Sequence, residues 1–465
     1  MTAVAATPST RPTAAPAAGA RTIPAAPTAS GASRATAVDT SIVGADVRVP
    51  LVTGERVTYA NFDYAASAPC LSAVREVLDA SLPYYASVHR GAGFHSQVST
   101  DAYEQARRSV ARFAGARHND AVVFVRGTTD ALNLLARSVP KDCTVVVFAA
   151  EHHASLLPWQ HRGSRAGQVI RLPLPRSADA AVEAAREALR SSPEGPRLLC
   201  VTGASNVTGE IWPIERLTAV AHSAGARIVV DAAQLIPHRE VSLSATGADY
   251  VAFSGHKLYA PFGAGVLAGR TDWLQAATPY LAGGGATGNV TEDDVRWNDL
   301  PARHEAGSPN VLGAVTLAAA CDTLAAAGQD ALHAREQALL DRLRTGLAAI
   351  PGVRDLALWD ADHPRVGIVS FVIDGLSSDL VAAALSAEHG IGVRDGLFCA
   401  HLLTRHLLPE GHEQAVRASL GLGTTEEHVD RLIGAVAGLA AHGPRWEYRD
   451  DNGRVAPLPD PRPAR

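Results

Sequence analysis

Lys257 closes the run Ser254-Gly255-His256-Lys257 behind an apolar stretch, Tyr250–Phe253, and Asp231 closes the apolar stretch Arg227–Asp231, with Gln234 just beyond it. Only two of the 42 Lys and Arg residues are lysines, Lys141 and Lys257. A lysine amine can add to a carbonyl to form a Schiff base, which a guanidinium cannot do. A carboxylate 257 − 231 = 26 residues upstream can keep a pyridine nitrogen protonated, so the pair suits pyridoxal phosphate as an electron sink. Lys141 lies in the turn Pro140-Lys141-Asp142 and reads as a solvated charge. For Lys257 the plain alternative is a salt-bridged or helix-capping lysine.

Other polar clusters follow apolar runs in the same way. Arg126-Gly127-Thr128-Thr129-Asp130 sits between a strand-like run and a helical one, a turn that can hold phosphate on backbone N–H groups and hydroxyls or serve simply as an N-cap. Glu151-His152-His153 offers an imidazole to stack on a cofactor ring. Adjacent histidines point different ways and no third ligand is evident, so no metal is expected. The glycine run Gly283–Gly288 follows no strand and opens no helix, and reads as a surface loop rather than a nucleotide loop.

These clusters need a scaffold. Seven short Val/Ile/Leu-rich runs, Val122–Val125, Thr144–Ala149, Val169–Leu174, Leu198–Thr202, Ile228–Asp231, Tyr250–Phe253 and Gly265–Ala268, read as buried strands. Helical patterns at Asp130–Ser138, Ala180–Arg190 and Ile214–Ser223 lie between several of them. Together they predict an α/β domain with a mainly parallel seven-stranded sheet covered on both faces, whose ligands bind at the carboxyl ends of the strands. Long Ala/Leu helices then begin near Val311, followed by the strand-like run Gly367–Ile373 and helices Asp379–His389 and Glu426–His442. The division expected is a disordered Ala/Pro/Thr-rich tail over 1–45, a large cofactor-binding domain over 46–310, a smaller α+β domain over 311–443 and a loose tail over 444–465. The first part of the large domain is a candidate to pack on the small one.

Composition excludes other classes. A net charge of −5 gives no basic face for nucleic acid, and no run reaches the roughly 18 apolar residues of a membrane span. Five widely spaced cysteines without a CxxC pair argue against a disulfide framework or zinc site, and for a reducing, cytoplasmic setting.

The ordered motifs Asn61-Phe62-Asp63-Tyr64-Ala65-Ala66-Ser67, Ser87-Val88-His89-Arg90-Gly91, Val125-Arg126-Gly127-Thr128-Thr129, Glu151-His152-His153-Ala154-Ser155, Ser205-Asn206-Val207-Thr208-Gly209, Asp231-Ala232-Ala233-Gln234, Ser254-Gly255-His256-Lys257-Leu258-Tyr259 and Glu305-Ala306-Gly307-Ser308-Pro309-Asn310 resemble the class V aminotransferase group. Within it the chain is most similar to SUF-type cysteine desulfurases and selenocysteine lyases. The resemblance implies fold type I, a homodimer with active sites near the subunit interface, a small amino-acid substrate and a protein sulfur acceptor. It implies the covalent cofactor link at Lys257, the pyridine partner at Asp231, a hydrogen bond from Gln234 and ring stacking by His152. Thr128, Thr129, Ser254 and His256 would hold the phosphate, with Ser308 reaching the partner subunit's phosphate. Asn206, Arg394 and His89 would face the substrate, and Arg417 would clamp its carboxylate.

Gly392-Val393-Arg394-Asp395-Gly396-Leu397-Phe398-Cys399-Ala400 resembles the family's loop carrying the sulfur-accepting cysteine. Arg394 and His401 nearby would favour a thiolate, and a mobile loop would suit sulfur transfer. The alternative is that Cys399 is a small packing residue. Where the family usually places polar residues before this cysteine, this chain has Leu397 and Phe398, and His401-Leu402-Leu403-Thr404-Arg405-His406 after it is unusual too. The resulting expectation is a desulfurase acting on L-cysteine or selenocysteine through Cys399. The alternatives are another class V enzyme, a C–S lyase, epimerase or aminotransferase, and a non-catalytic binding module.

Overall fold

The computed structural model describes residues 38–450 and 453–463. The apolar runs become β1 (Ala121–Val125), β2 (Cys143–Phe148), β3 (Ala166–Leu172), β4 (Arg197–Thr202), β5 (Arg227–Asp231), β6 (Tyr250–Ser254) and β7 (Gly265–Gly269). They form one seven-stranded sheet in the order β1-β7-β6-β5-β4-β2-β3. Neighbours are parallel except at β7, which is antiparallel to both β1 and β6.

Successive side chains of a strand face opposite sides, and both sides are covered here. Val145 and Val147 of β2 pack in one core with Leu132 and Leu135 of α1 (Thr128–Ser138), while Val146 and Phe148 face another core. The latter includes Ala185 and Leu189 of α2 (Ala178–Ser191) and Leu217 of α3 (Ile214–Ser223). Ser177 starts α2 by accepting the Ala180 N–H at 3.1 Å, a side-chain N-cap.

Two long helices follow, α4 (Val311–Ala327) and α5 (Gln329–Ala348), bent by 83° at Gly328, whose φ of +83° favours glycine. The smaller domain is an antiparallel sheet of β8 (Val353–Asp355), β9 (Ile368–Ile373), β10 (Arg394–Gly396) and β11 (Ala415–Ser419) in the order β8-β9-β11-β10. With it belong α6 (Ser378–His389), α7 (His401–Leu407) and α8 (Glu426–His442).

Three boundaries differ from expectation. α4 packs on the helices Ser72–Ser81 and Phe94–Phe113 of the large domain, and the small domain's own core takes up the chain only in α5, at Leu339, Leu340, Leu343 and Leu347. The domain change therefore falls near Gly328, not at Val311. α4 is apolar on nearly every side, so its sequence offers no single face from which to assign a neighbour.

The described residues after Pro444 are not loose, while 451–452 and 464–465 of the expected tail lie outside the described residues. Tyr448–Asp450 and Val455–Pro457 form a hairpin, and Glu388 of α6 accepts the N–H groups of Arg445 and Trp446 and the Tyr448 hydroxyl at 3.0–3.2 Å. Within the expected N-terminal tail, Ile42 is buried and Val43 N–H donates to the Cys70 carbonyl at 2.8 Å. Residues 1–37 of that tail lie outside the described residues. Farther on, Ala60–Asn61 pairs in parallel with Ile391–Gly392, and Phe62 enters the small domain's core.

Candidate active site

At the carboxyl ends of β5 and β6 and the start of α1, a cavity of about 200 Å³ is bordered by residues from both domains. Thr128, Thr129, His152, Asn206, Asp231, Gln234, Ser254, His256, Lys257, Arg394, Cys399 and Arg417 all line it. Their sequence positions span most of the chain; the large sheet gathers those of the large domain because parallel strands end on one edge, and the small domain supplies Arg394, Cys399 and Arg417.

The floor is made by β5. Asp231 accepts the Ser155 hydroxyl at 2.6 Å and the Ala233 N–H at 3.0 Å, which fixes its carboxylate. Beside it, burial outweighs the attraction of Asp231 and, helped by Arg417 and Arg394, brings Lys257 down to about 8. His152 is pushed down to about 4, first by burial and then by Lys257. Its Nδ1 accepts the Ala154 N–H at 3.0 Å, which requires an unprotonated Nδ1. A neutral, held imidazole follows. Gln234 donates to the Ala65 carbonyl at 2.8 Å.

At the start of α1, Ser254 Oγ accepts the Thr128 N–H and pairs with Thr128 Oγ1, each at 2.8 Å. His256 Nδ1 lies 3.3 Å from Ser67 Oγ. β7 must approach this turn closely, since a Cβ on Gly265 would lie 2.3 Å from the Gly127 Cα. Only glycine fits there.

The opposite wall comes from the small domain. Arg394 and Arg417 are direct partners across β10 and β11, so two guanidinium groups border one cavity. Arg417 donates to Asp63 at 3.1 Å and to the Asn206 carbonyl at 3.0 Å, and its buried Nε has no partner. Burial is the main cause that pulls it down to about 10. Cys399 follows β10 at the cavity edge and is the one exposed cysteine. Its carbonyl accepts the His153 N–H at 2.8 Å, so the segment is tied to the large domain on its backbone. His401 packs edge-on against His153, ring centres 4.5 Å apart, and does not border the cavity.

His89 and Ser308 stand apart from Lys257 within one chain. His89 pairs with Glu104 at 3.2 Å in a separate cleft of about 470 Å³, to which Gly307 and Pro309, either side of Ser308, contribute. His89 does not border the cavity that holds Lys257, and Ser308, expected to reach a partner subunit's phosphate, does not border it either.

Four residues of the site carry no role in the motif reading. Ser155 and Asp63 lie inside quoted motifs, but nothing local to either marks the partner it holds, Asp231 for Ser155 and Arg417 for Asp63. Glu151 is buried, accepts the Thr202 N–H at 3.0 Å through Oε1 and leaves Oε2 without a partner. Burial, with Asp231 adding to it, holds its carboxyl well above the usual range. Phe398 borders the cavity beside Cys399; the sequence alone shows it as a departure from the family's polar pattern.

A family model described as Aminotransferase class-V matches residues 60–432. The chain belongs to the class-V aminotransferase family. Similar class-V chains include the cysteine desulfurase of Dickeya dadantii, 37% identical over 390 residues, covering 82% of this chain and 92% of that one. The probable cysteine desulfurase of Vibrio cholerae is 36% identical over 383 residues, covering 80% and 92%. Among solved structures, the apo cysteine desulfurase of Thermococcus onnurineus has a TM-score of 0.75 at 33% identity, covering 82% of this chain and 95% of that one. An Escherichia coli cysteine desulfurase, solved as its S-sulfonic acid, has a TM-score of 0.71 at 33% identity, covering 81% and 94%. The fold is therefore the fold type I of class-V pyridoxal-phosphate enzymes, as the strand pattern and motifs anticipated.

Proposed function

We propose that the chain binds pyridoxal phosphate and acts as a cysteine desulfurase, moving the sulfur of L-cysteine, or the selenium of selenocysteine, onto Cys399 and leaving L-alanine. The observation that carries this reading is that Cys399 borders the same cavity as Lys257, Asp231 and Arg417.

The donor set fits that cofactor. The cavity holds cationic Arg394, Arg417 and Lys257 against the Asp231 carboxylate, and Arg417 keeps a buried Nε without a partner, an arrangement complementary to a phosphate and a carboxylate. Lys257 would be the covalent link, Asp231 would hold the pyridine proton, Gln234 would bond the ring's oxygen and His152 would cover its face. The Thr128–Thr129 turn, Ser254 and His256 would receive the phosphate. When bound, pyridoxal phosphate supplies a conjugated ring that accepts an electron pair from the substrate.

The chain's own residues do the rest. Arg417 binds the substrate carboxylate and fixes its orientation. Lys257 Nζ, partly unprotonated near neutral pH because of its lowered pKa, takes and returns a proton at the substrate α-carbon. Cys399 Sγ forms a bond to the substrate sulfur as the C–S bond breaks, and the pair from that bond stays with carbon. Proton delivery there completes alanine, and the sulfur stays on Cys399 as a persulfide until a thiol or a protein acceptor takes it. L-Cysteine with dithiothreitol should give sulfide and alanine in equal amounts; pyruvate in place of alanine would mark a C–S lyase and sink the desulfurase reading.

The reading extends to a cytoplasmic homodimer that presents Ser308 and His89 to a neighbouring site. It is supported by the large apolar side chains Leu82, Tyr85 and Phe94, all more than half exposed, on the stretch that carries His89. Sedimentation equilibrium should return twice the chain mass, and a monomer at micromolar concentration would remove this part of the proposal.

A further inference from the structure

Phe398 is the large apolar residue among the polar groups that border the cavity, and two contacts meet on it, with a third joining its two partners. Its ring is buried, with the Arg417 guanidinium carbon 5.2 Å from the ring centre, a separation at which cation and π-face attract. Its carbonyl accepts the Asn206 side-chain N–H at 2.7 Å. The Asn206 carbonyl in turn accepts from Arg417 at 3.0 Å. Arg417, Asn206 and Phe398 thus form a closed ring of contacts in which each touches the other two.

The backbone at this point is held against its own preference. Phe398 has φ +52° and Cys399 has φ +55°, left-handed values that side chains with a Cβ adopt rarely and two in succession more rarely still. Such a turn persists only where its surroundings over-determine it. The surroundings are the buried ring, the Asn206 bond and the His153 N–H on the Cys399 carbonyl.

Resting on the desulfurase reading for the roles of Arg417 and Cys399, we propose that Phe398 is a positioning residue that holds the Cys399 thiol in register with the carboxylate clamp, by fixing a left-handed turn against Arg417. The ring does not react. It ties the residue that recognises the substrate to the residue that attacks it, so that a substrate seated on Arg417 meets a thiol already in place. A polar side chain at 398 would be hydrated and would lack the same hold on the ring's apolar seat. Asn206 serves the same turn from the other side.

The test uses the holoenzyme and two readouts. Phe398→Ala should lower alanine release at saturating L-cysteine on the order of tenfold or more, the scale of a misplaced reacting group, and should raise the KM for L-cysteine as Arg417 loses its neighbour. Phe398→Tyr, which keeps the ring, should stay close to the parent in both. Independently of turnover, iodoacetamide should alkylate Cys399 several-fold faster in Phe398→Ala than in the parent or in Phe398→Tyr, because the turn is released from the cavity edge; peptide mass spectrometry reads this. Equal alkylation rates in all three proteins overturn the proposal. So does a Phe398→Ala enzyme with the parent's kcat. If the parent makes no alanine, the desulfurase reading falls while the alkylation rates still decide whether the ring holds the turn.

Discussion

Lys257→Ala is expected to yield a colourless protein with turnover lowered on the order of a thousandfold or more, the loss that follows removal of a covalent and acid–base group together. No neighbour can take over. The other lysine, Lys141, is exposed in a turn after α1, and Arg394 and Arg417 offer cations that cannot form the imine. Lys257→Arg should fail for the same reason, although it keeps the charge. Visible absorbance after reconstitution and alanine release check both; a yellow, active Lys257→Ala protein would defeat the assignment.

The same substitution has a second effect in the apo-protein. Lys257 falls from 10.5 to about 8 on folding, so the unfolded chain binds more protons between those values, and this group's contribution to stability rises with pH across that window. Below about 8 the buried cation works against the fold. Apo Lys257→Ala should therefore lose that part of the increase in Tm between pH 8 and 10.5 shown by the parent, a difference that thermal denaturation in matched buffers measures.

Cys399→Ser should lower sulfide and alanine output on the order of a hundredfold or more, because a hydroxyl is a far weaker nucleophile toward sulfur than a thiolate. Its cofactor absorbance should be unchanged. The contacts holding this turn run through the Phe398 ring and the carbonyls of Phe398 and Cys399, all of which Cys399→Ser retains, so the loss is chemical rather than structural. Cys143, Cys200 and Cys321 are buried and Cys70 is half-buried, leaving no obvious substitute. Sulfide release undiminished in this variant would return Cys399 to a packing role.

The parts of the fold visible in the sequence are those where burial dictates residue type. β2 is buried at every position and reads as Cys-Thr-Val-Val-Val-Phe, so strand and parallel setting follow together. Where residue type is silent about a partner, the reading falls short. α4 is apolar on nearly every side and its sequence is compatible with covering either domain. The C-terminal hairpin is Pro- and charge-rich, and the carboxylate that secures it, Glu388, lies on a distant helix.

The site shows the same division. Lys257, Asp231 and Gln234 announce themselves because polar residues close apolar strands. Asp63, paired with Arg417 at 3.1 Å, is 354 residues from its partner and has no local sign of that role. Phe398 departs from the family's polar pattern in sequence, and three-dimensional contact with Arg417 gives it a place.

The fixed turn at Phe398 and Cys399 also sets a limit on reach. A persulfide lengthens the cysteine arm by one S–S bond, about 2 Å, while the backbone beneath it is held at both carbonyls. Carrying the sulfur outward on a swinging loop would require both of those hydrogen bonds to break. While they hold, the receiver must bring its own nucleophile to the exposed thiol at the cavity edge, so delivery turns on the shape of the receiver more than on motion of the donor.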